Sequence, residues 1–136
     1  MLTALMGYVT TLVAFFVTDM VWLGIMAPRY YRPTMGDIAL ATVNLPAAAA
    51  FYVLYPIGLL VFAIYPALKT GSVTTALIQG ALFGFFTYAT YDLTNLATLR
   101  NWTWSLTLID VAWGTILASA SAAIAFLLLT KFVTSS

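Results

Sequence analysis

The sequence predicts an all-α integral membrane protein: an antiparallel bundle of four transmembrane helices that forms a single domain over residues 1–136. Two observations predict this class. Of the 136 residues, 63% are hydrophobic and 7% are charged, whereas soluble domains carry roughly a quarter charged residues. The apolar residues also fall into four runs, each near the roughly 20 residues that cross the hydrocarbon core of a bilayer.

The charged and metal-binding residue types exclude several classes of function. Five Lys and Arg nearly balance four acidic residues, so no basic surface is available to neutralise the phosphates of a nucleic acid. The absence of Cys and His excludes disulfides, thiolate nucleophiles and ordinary zinc sites, and we expect neither a metal nor a cofactor. Glu is absent too, so acidic chemistry must come from Asp19, Asp37, Asp92 and Asp110.

The first span is predicted over residues 2–26 and is interrupted by a single charge, Asp19. Its apolar run is too long for a cleaved signal peptide, so we expect it to be retained. From Arg29 to Asn44, aromatic, basic and turn residues predict a membrane-interface loop, with room for a short interfacial helix over residues 37–43.

The second span is predicted over residues 45–68 and contains no charge. Pro56 lies in its middle, where the missing N–H should kink the helix and free the carbonyl of Tyr52. The third and fourth spans are predicted over residues 73–99 and 106–130, with short connections that make neighbouring helices antiparallel. The basic residues are divided between the two sides of the membrane, so they do not decide the orientation.

Small residues predict which helices pack most closely. The third span carries Gly80 and Gly84, and the fourth carries Gly114, Ala118 and Ala122 at intervals of four. Because helices in lipid associate where small side chains let their backbones approach, we expect close contact at Gly84 and Gly114 to Ala118.

Three of the four aspartates fall at a similar depth in the membrane. Asp19 and Asp92 each lie seven residues before the end of a span, which is roughly 10 Å inside that boundary. Asp110 lies roughly 7 Å inside from the start of the fourth span. A charged Asp in hydrocarbon costs roughly 2.5 to 3.5 kcal/mol, so we expect all three to face the bundle interior.

Neighbouring residues support this convergence. Trp22 and Trp113 each follow an aspartate by three residues. Four residues of the third span are spaced at i, i+3, i+4 and i+7 and so share one helix face: Tyr88, Tyr91, Asp92 and Asn95.

Each aspartate also has a structural interpretation. Asp110 follows Thr107 by three residues, the spacing of a capping box, and could bind the free amides at the start of the fourth helix. Asp92 could pair with Arg100, although two helical turns separate them. Asp19 lies deep in a helix, where no cap is needed, so a functional or interhelical role is the better interpretation.

Three segments carry a family resemblance: Thr18-Asp19-x-x-Trp22-Leu23, the run YDLTNLATL over residues 91–99 followed by Trp102, and Asp110-Val111-Ala112-Trp113-Gly114. With them the chain resembles the family catalogued as domain of unknown function 2177, and the similarity extends over the whole chain. The resemblance implies this fold and a place in the bacterial inner membrane, and it assigns no reaction.

The first functional hypothesis is a protein that binds or modifies a lipophilic molecule, which reaches the aspartates sideways from the lipid. Buried carboxyl groups can serve as general acid and base. We cast Asp92 as the acid or base and Asp19 as its coupled partner. Tyr88 or Tyr91 would be the orienting donor. The candidate ligand-binding residues are Trp22, Tyr91, Asn95, Arg100, Asp110 and Trp113. The sequence does not decide whether the protein is an enzyme.

This hypothesis predicts a pocket that opens toward the polar side and is lined by Trp22, Tyr88, Tyr91, Asp92 and Trp113. A second hypothesis is an accessory subunit of a larger membrane complex, whose aspartates lock helices together; aromatic rings that fill the pocket would favour it. A third is a small proton-coupled transporter that acts as a homo-oligomer. Membrane lipids are partners in all three.

Overall fold

A computed structural model describes residues 1–134, and over these residues the chain is helical without strands. Four long helices follow one another: the first over Leu2–Ile38, the second over Leu45–Thr70, the third over Val73–Thr98 and the fourth over Trp104–Thr134. Each is long and apolar enough to cross a membrane. The predicted class, an all-α bundle of four transmembrane helices, is confirmed.

The first helix extends well beyond the predicted span. Its regular part, Leu2–Met26, continues through a π-helical turn over Ala27–Tyr31, an α-helical turn over Arg32–Met35 and a 3-10 turn over Gly36–Ile38. The interface loop expected from Arg29 is therefore helical over its first half. The short helix expected over residues 37–43 is wrong, because only the 3-10 turn is present there.

Two prolines explain where the π-helical turns lie. A proline ring clashes with the carbonyl four residues before it, and a wider turn moves that carbonyl away. Pro33 follows the turn Ala27–Tyr31, and Pro66 follows a second such turn over Leu60–Ile64. In both turns a backbone N–H binds the carbonyl five residues earlier, from Arg32 to Ala27 and from Tyr65 to Leu60.

The third and fourth helices are in the closest contact of any pair, as predicted. A Cβ atom added to Gly80 would lie 2.9 Å from the carbonyl oxygen of Ala118 and 2.9 Å from Cβ of Ala122. One added to Gly84 would overlap the backbone of Gly114. The small residues are therefore required for this backbone approach.

The other helices complete the bundle around this pair. The first helix packs against the fourth and against the first half of the second, and the π-helical turn Leu60–Ile64 of the second packs against the third. The core is formed by Phe15, Leu59, Ile64, Leu117, Ala122 and Leu129, all of them fully or almost fully buried.

The second and third helices lie apart on the side that carries the aspartates, because Leu45–Leu59 packs against the first helix and makes few contacts with the third. Their contacts include Tyr55, which shares a hydrogen bond with Thr87 and packs on Phe83. Residues 45–54, before Tyr55, are exposed except for the half-buried Ala48 and Tyr52. On the third helix, Thr90, Tyr91 and Thr94 lie one or two turns beyond Phe83 and Thr87 on the same face, and they are exposed too. We call the space between residues 45–54 and these three residues the lateral cleft.

Candidate functional site

The site is a set of polar side chains between the helices, which we call the polar cluster: Asp19, Trp22, Tyr31, Tyr52, Asp92, Asp110 and Trp113. Asp19, on the first helix, is buried and accepts two hydrogen bonds. The hydroxyl of Tyr52 donates to its Oδ2 at 2.5 Å, and the indole N–H of Trp113 donates to its Oδ1 at 3.1 Å. Asp19 therefore joins the first, second and fourth helices.

A second chain of hydrogen bonds runs beside the first. The indole N–H of Trp22 donates to the hydroxyl of Tyr31 at 2.9 Å, and that hydroxyl donates to Oδ1 of Asp110 at 2.9 Å. The rings of Trp22 and Trp113 stack face to face, with centroids 4.3 Å apart and planes inclined by 6°. The stack connects the two chains and holds both tryptophan N–H groups in place.

The carboxyl group of Asp92 is the exception in this cluster. Asp92 is fully buried on the third helix, and neither of its oxygens has a hydrogen-bonding partner among the described residues. Its neighbour is the half-buried carboxyl group of Asp110 on the fourth helix. Two neighbouring carboxyl groups are an arrangement that proteins use for acid and base chemistry.

The structure contradicts pairing between Asp92 and Arg100. Arg100 lies 3.7 Å from Asp37, and both side chains are largely exposed. The side-chain amide of Asn101 also donates to Asp37, at 2.8 Å. The connection after the third helix contacts the end of the first helix, so Arg100 lies outside the polar cluster.

The interpretation of Asp110 as a helix cap is wrong as well. The fourth helix begins at Trp104, two residues earlier than predicted, and Thr103 accepts the free N–H of Leu106 at 3.0 Å. Asp110 lies almost two turns into the helix, where backbone amides are already bonded. Its carboxylate is thus available to Tyr31 and Asp92.

The tyrosines and Asn95 of the third helix are placed differently from one another. The ring of Tyr88 lies against Gly114, where a Cβ atom would overlap it, and packs edge to face on Tyr55. Tyr91 is 57% exposed and packs edge to face on Trp102. Asn95 is half-buried one turn beyond Asp92.

The aromatic rings of the polar cluster occupy part of the space in which the ligand pocket was predicted. The Trp22 and Trp113 stack leaves no room for a molecule between the two rings. Two open grooves lie elsewhere on the described part of the chain. One, of about 470 Å³, is lined by Val61, Tyr65, Pro66, Leu68 and Lys69, and the other, of about 220 Å³, by Phe62, Gln79, Leu82, Phe83, Phe86 and Thr87.

Two members of the polar cluster were missed by the sequence analysis. Tyr31 falls in the segment from Arg29 to Asn44, whose aromatic, basic and turn residues predict a loop. Tyr52 lies in a charge-free span, where a tyrosine is usually a packing residue. Spacing gave no signal either, since Tyr31 follows Trp22 by nine residues, and two and a half turns of a regular helix put the two on opposite faces.

Four membrane-crossing helices with a buried polar cluster define a small integral membrane protein. The chain belongs to the family described as predicted membrane protein (DUF2177), whose model matches residues 4–127. The resemblance inferred from the segments at Thr18, Tyr91 and Asp110 is thereby confirmed. No curated protein and no solved structure matches the chain.

Proposed function

We propose that this protein binds a lipophilic molecule in the membrane and exchanges a proton with it at the Asp92 and Asp110 carboxyl pair. In this proposal Asp92 is the acid or base, and Asp110, which is half-buried, connects it to the ligand and to water. Tyr31 and Trp22 orient Asp110 through their hydrogen bonds. We place the protein in the bacterial inner membrane, as the family resemblance implies.

One observation carries the proposal: a fully buried carboxyl group without a donor, placed against another carboxyl group. An aspartate that serves only to join helices is supplied with donors, as Asp19 is by Tyr52 and Trp113. Burying an acid without donors costs free energy. Such a cost is typical of functional sites, where carboxyl pairs with a shared proton act as acid and base.

Lipid extraction with mass spectrometry tests this function. We expect a lipophilic molecule to co-purify with the wild-type protein and to be lost from Asp92→Asn. Asp37→Asn is the matched control, because Asp37 is exposed and lies outside the polar cluster. If wild type and Asp92→Asn yield the same molecules in the same amounts, the proposed site is wrong.

A second candidate function is that of an accessory subunit of a larger membrane complex. The observation that favours it is the stack of Trp22 on Trp113, which occupies space that a ligand pocket would need. In this case Asp92→Asn would leave the extracted molecules unchanged and alter co-purification of partner proteins. The same preparation therefore separates the two functions.

A further inference from the structure

The donors and acceptors of the polar cluster define what kind of polar group is missing from it. Four donors are already used: Tyr52 and Trp113 bind Asp19, Trp22 binds Tyr31, and Tyr31 binds Asp110. Both oxygens of Asp92 are acceptors that have no donor among the described residues. Even with one proton shared between Asp92 and Asp110, one Asp92 oxygen still lacks a donor. A ligand that completes this site must therefore bring a hydrogen-bond donor.

The charge of the site further limits which chemical group the donor can be. Three carboxyl groups lie in the polar cluster, and no Lys or Arg lies among them. Arg100 lies near Asp37, Arg32 donates to the carbonyl of Leu40, and Arg29 is exposed at the end of the membrane-crossing segment. A single cationic group placed at Asp92 and Asp110 would supply the opposite charge that the polar cluster lacks. Hydrogen bonds to charged groups are stronger than those between neutral groups, so an ammonium group fits better than a hydroxyl group.

The lateral cleft supplies a place for an apolar chain. It opens to lipid between residues 45–54 and the exposed Thr90, Tyr91 and Thr94. At its inner end Tyr55 of the second helix packs on Tyr88 of the third. A chain in this cleft would cover the exposed parts of Phe51 and Tyr91. The ligand thus combines an ammonium head with a hydrocarbon chain.

We infer that the molecule bound at Asp92 and Asp110 is a lipophilic amine, with its ammonium group on the carboxyl pair and its chain in the lateral cleft. The inference rests on the proposed function and adds the chemical class of its ligand. It requires the rings around Asp110 to shift enough to admit a small ammonium group, and Asp110 is the half-buried member that such a group meets first.

Equilibrium binding of matched probes tests the inference. Radiolabelled dodecylamine and dodecanol, which share one chain and differ in head group, are added to the protein in phosphatidylcholine nanodiscs, and empty nanodiscs correct for partitioning. We expect dodecylamine to bind roughly tenfold more tightly than dodecanol, the ratio that a charge-assisted hydrogen bond provides. Asp92→Asn should abolish this preference, and Asp37→Asn should retain it.

The outcomes separate the inference from the function on which it rests. If dodecanol binds as tightly as dodecylamine, and binding of both needs Asp92, the inference of an amine ligand is wrong. The proposed binding site at Asp92 and Asp110 then stands. If neither probe binds in a manner that depends on Asp92, the amine is again overturned, and the mass spectrometry of extracted lipids decides the function. Should Asp92→Asn fail to fold, Asp110→Asn takes its place, since Asn still accepts from Tyr31.

Discussion

Asp19 and Asp92 are the same residue type at a similar depth in the membrane, yet their surroundings differ. Asp19 receives donors from two other helices, whereas Asp92 receives none and faces a carboxyl group. The sequence predicted their common level, because depth follows from the rise per residue. It could not predict the donors, because Tyr31 and Tyr52 reach the aspartates across helices whose rotation only the folded bundle defines.

Asp19→Leu should destabilise the fold. The substitution leaves the hydroxyl of Tyr52 and the indole N–H of Trp113 without an acceptor, and a loss of about 1 to 3 kcal/mol in total is expected, given the modest strength of such bonds in membranes. Thermal unfolding in detergent measures the change. Asp19→Asn keeps one acceptor oxygen and should cost less. Equal melting temperatures for Asp19→Leu and wild type would show that the two bonds carry no stability.

Asp92→Asn should have the opposite effect on stability. The amide replaces a buried acid that has no donor, and its NH₂ group can donate to Asp110, so the melting temperature should be unchanged or higher. Proton exchange should be lost, which infrared spectroscopy follows through the carboxylic acid C=O band. A large drop in melting temperature, with the band and the extracted lipids unaltered, would make Asp92 a structural residue.

At the scale of the helix, small residues were the more reliable signal and prolines the less reliable one. The spacing of Gly80 and Gly84 against Gly114 and Ala118 predicted the closest helix pair, because few other side chains permit that approach. The first span was predicted to end at residue 26, before Pro28, whereas a π-helical turn that includes Pro28 and precedes Pro33 lets the helix continue. A proline in lipid is tolerated where a local change of helical geometry satisfies the backbone.

Gly80→Ala should separate the third and fourth helices. The added methyl group would lie 2.9 Å from a carbonyl oxygen of the fourth helix, and overpacking of this kind costs about 1 to 3 kcal/mol. Gly24→Ala is the control, since its Cβ atom would meet nothing within 4 Å and Ala favours helices over Gly by about 0.5 to 1 kcal/mol. The unfolding midpoints of the two variants in a denaturing detergent measure the difference in their stability. A stable Gly80→Ala protein would contradict the close approach.

At the scale of the whole molecule, the chain crosses the membrane four times, so the connections between helices alternate between its two sides. The side with the Asp37 and Arg100 pair holds the ends of the first and third helices, and the opposite side holds the turn at Gly71. The composition predicted the number of crossings because each apolar run approximates a bilayer thickness. It left the orientation open, because the basic residues fall on both sides.

Cysteine labelling should reveal this sidedness directly, since the chain contains no Cys of its own. We expect Leu2→Cys and Lys69→Cys to react with a membrane-impermeant maleimide from one side, and Leu40→Cys and Arg100→Cys from the other. All four positions are exposed. Reaction of Leu2→Cys and Leu40→Cys from the same side would contradict a first helix that crosses the membrane.

The parallel indoles of Trp22 and Trp113 have an optical consequence. Two identical chromophores 4.3 Å apart couple their electronic transitions, so the pair should contribute a split band to the ultraviolet circular dichroism spectrum. Trp102 and Trp104 have no such partner in the described chain, and Trp22→Phe should remove the splitting while it keeps an aromatic ring in place. The protein thus contains its own label-free reporter of the distance between the first and fourth helices.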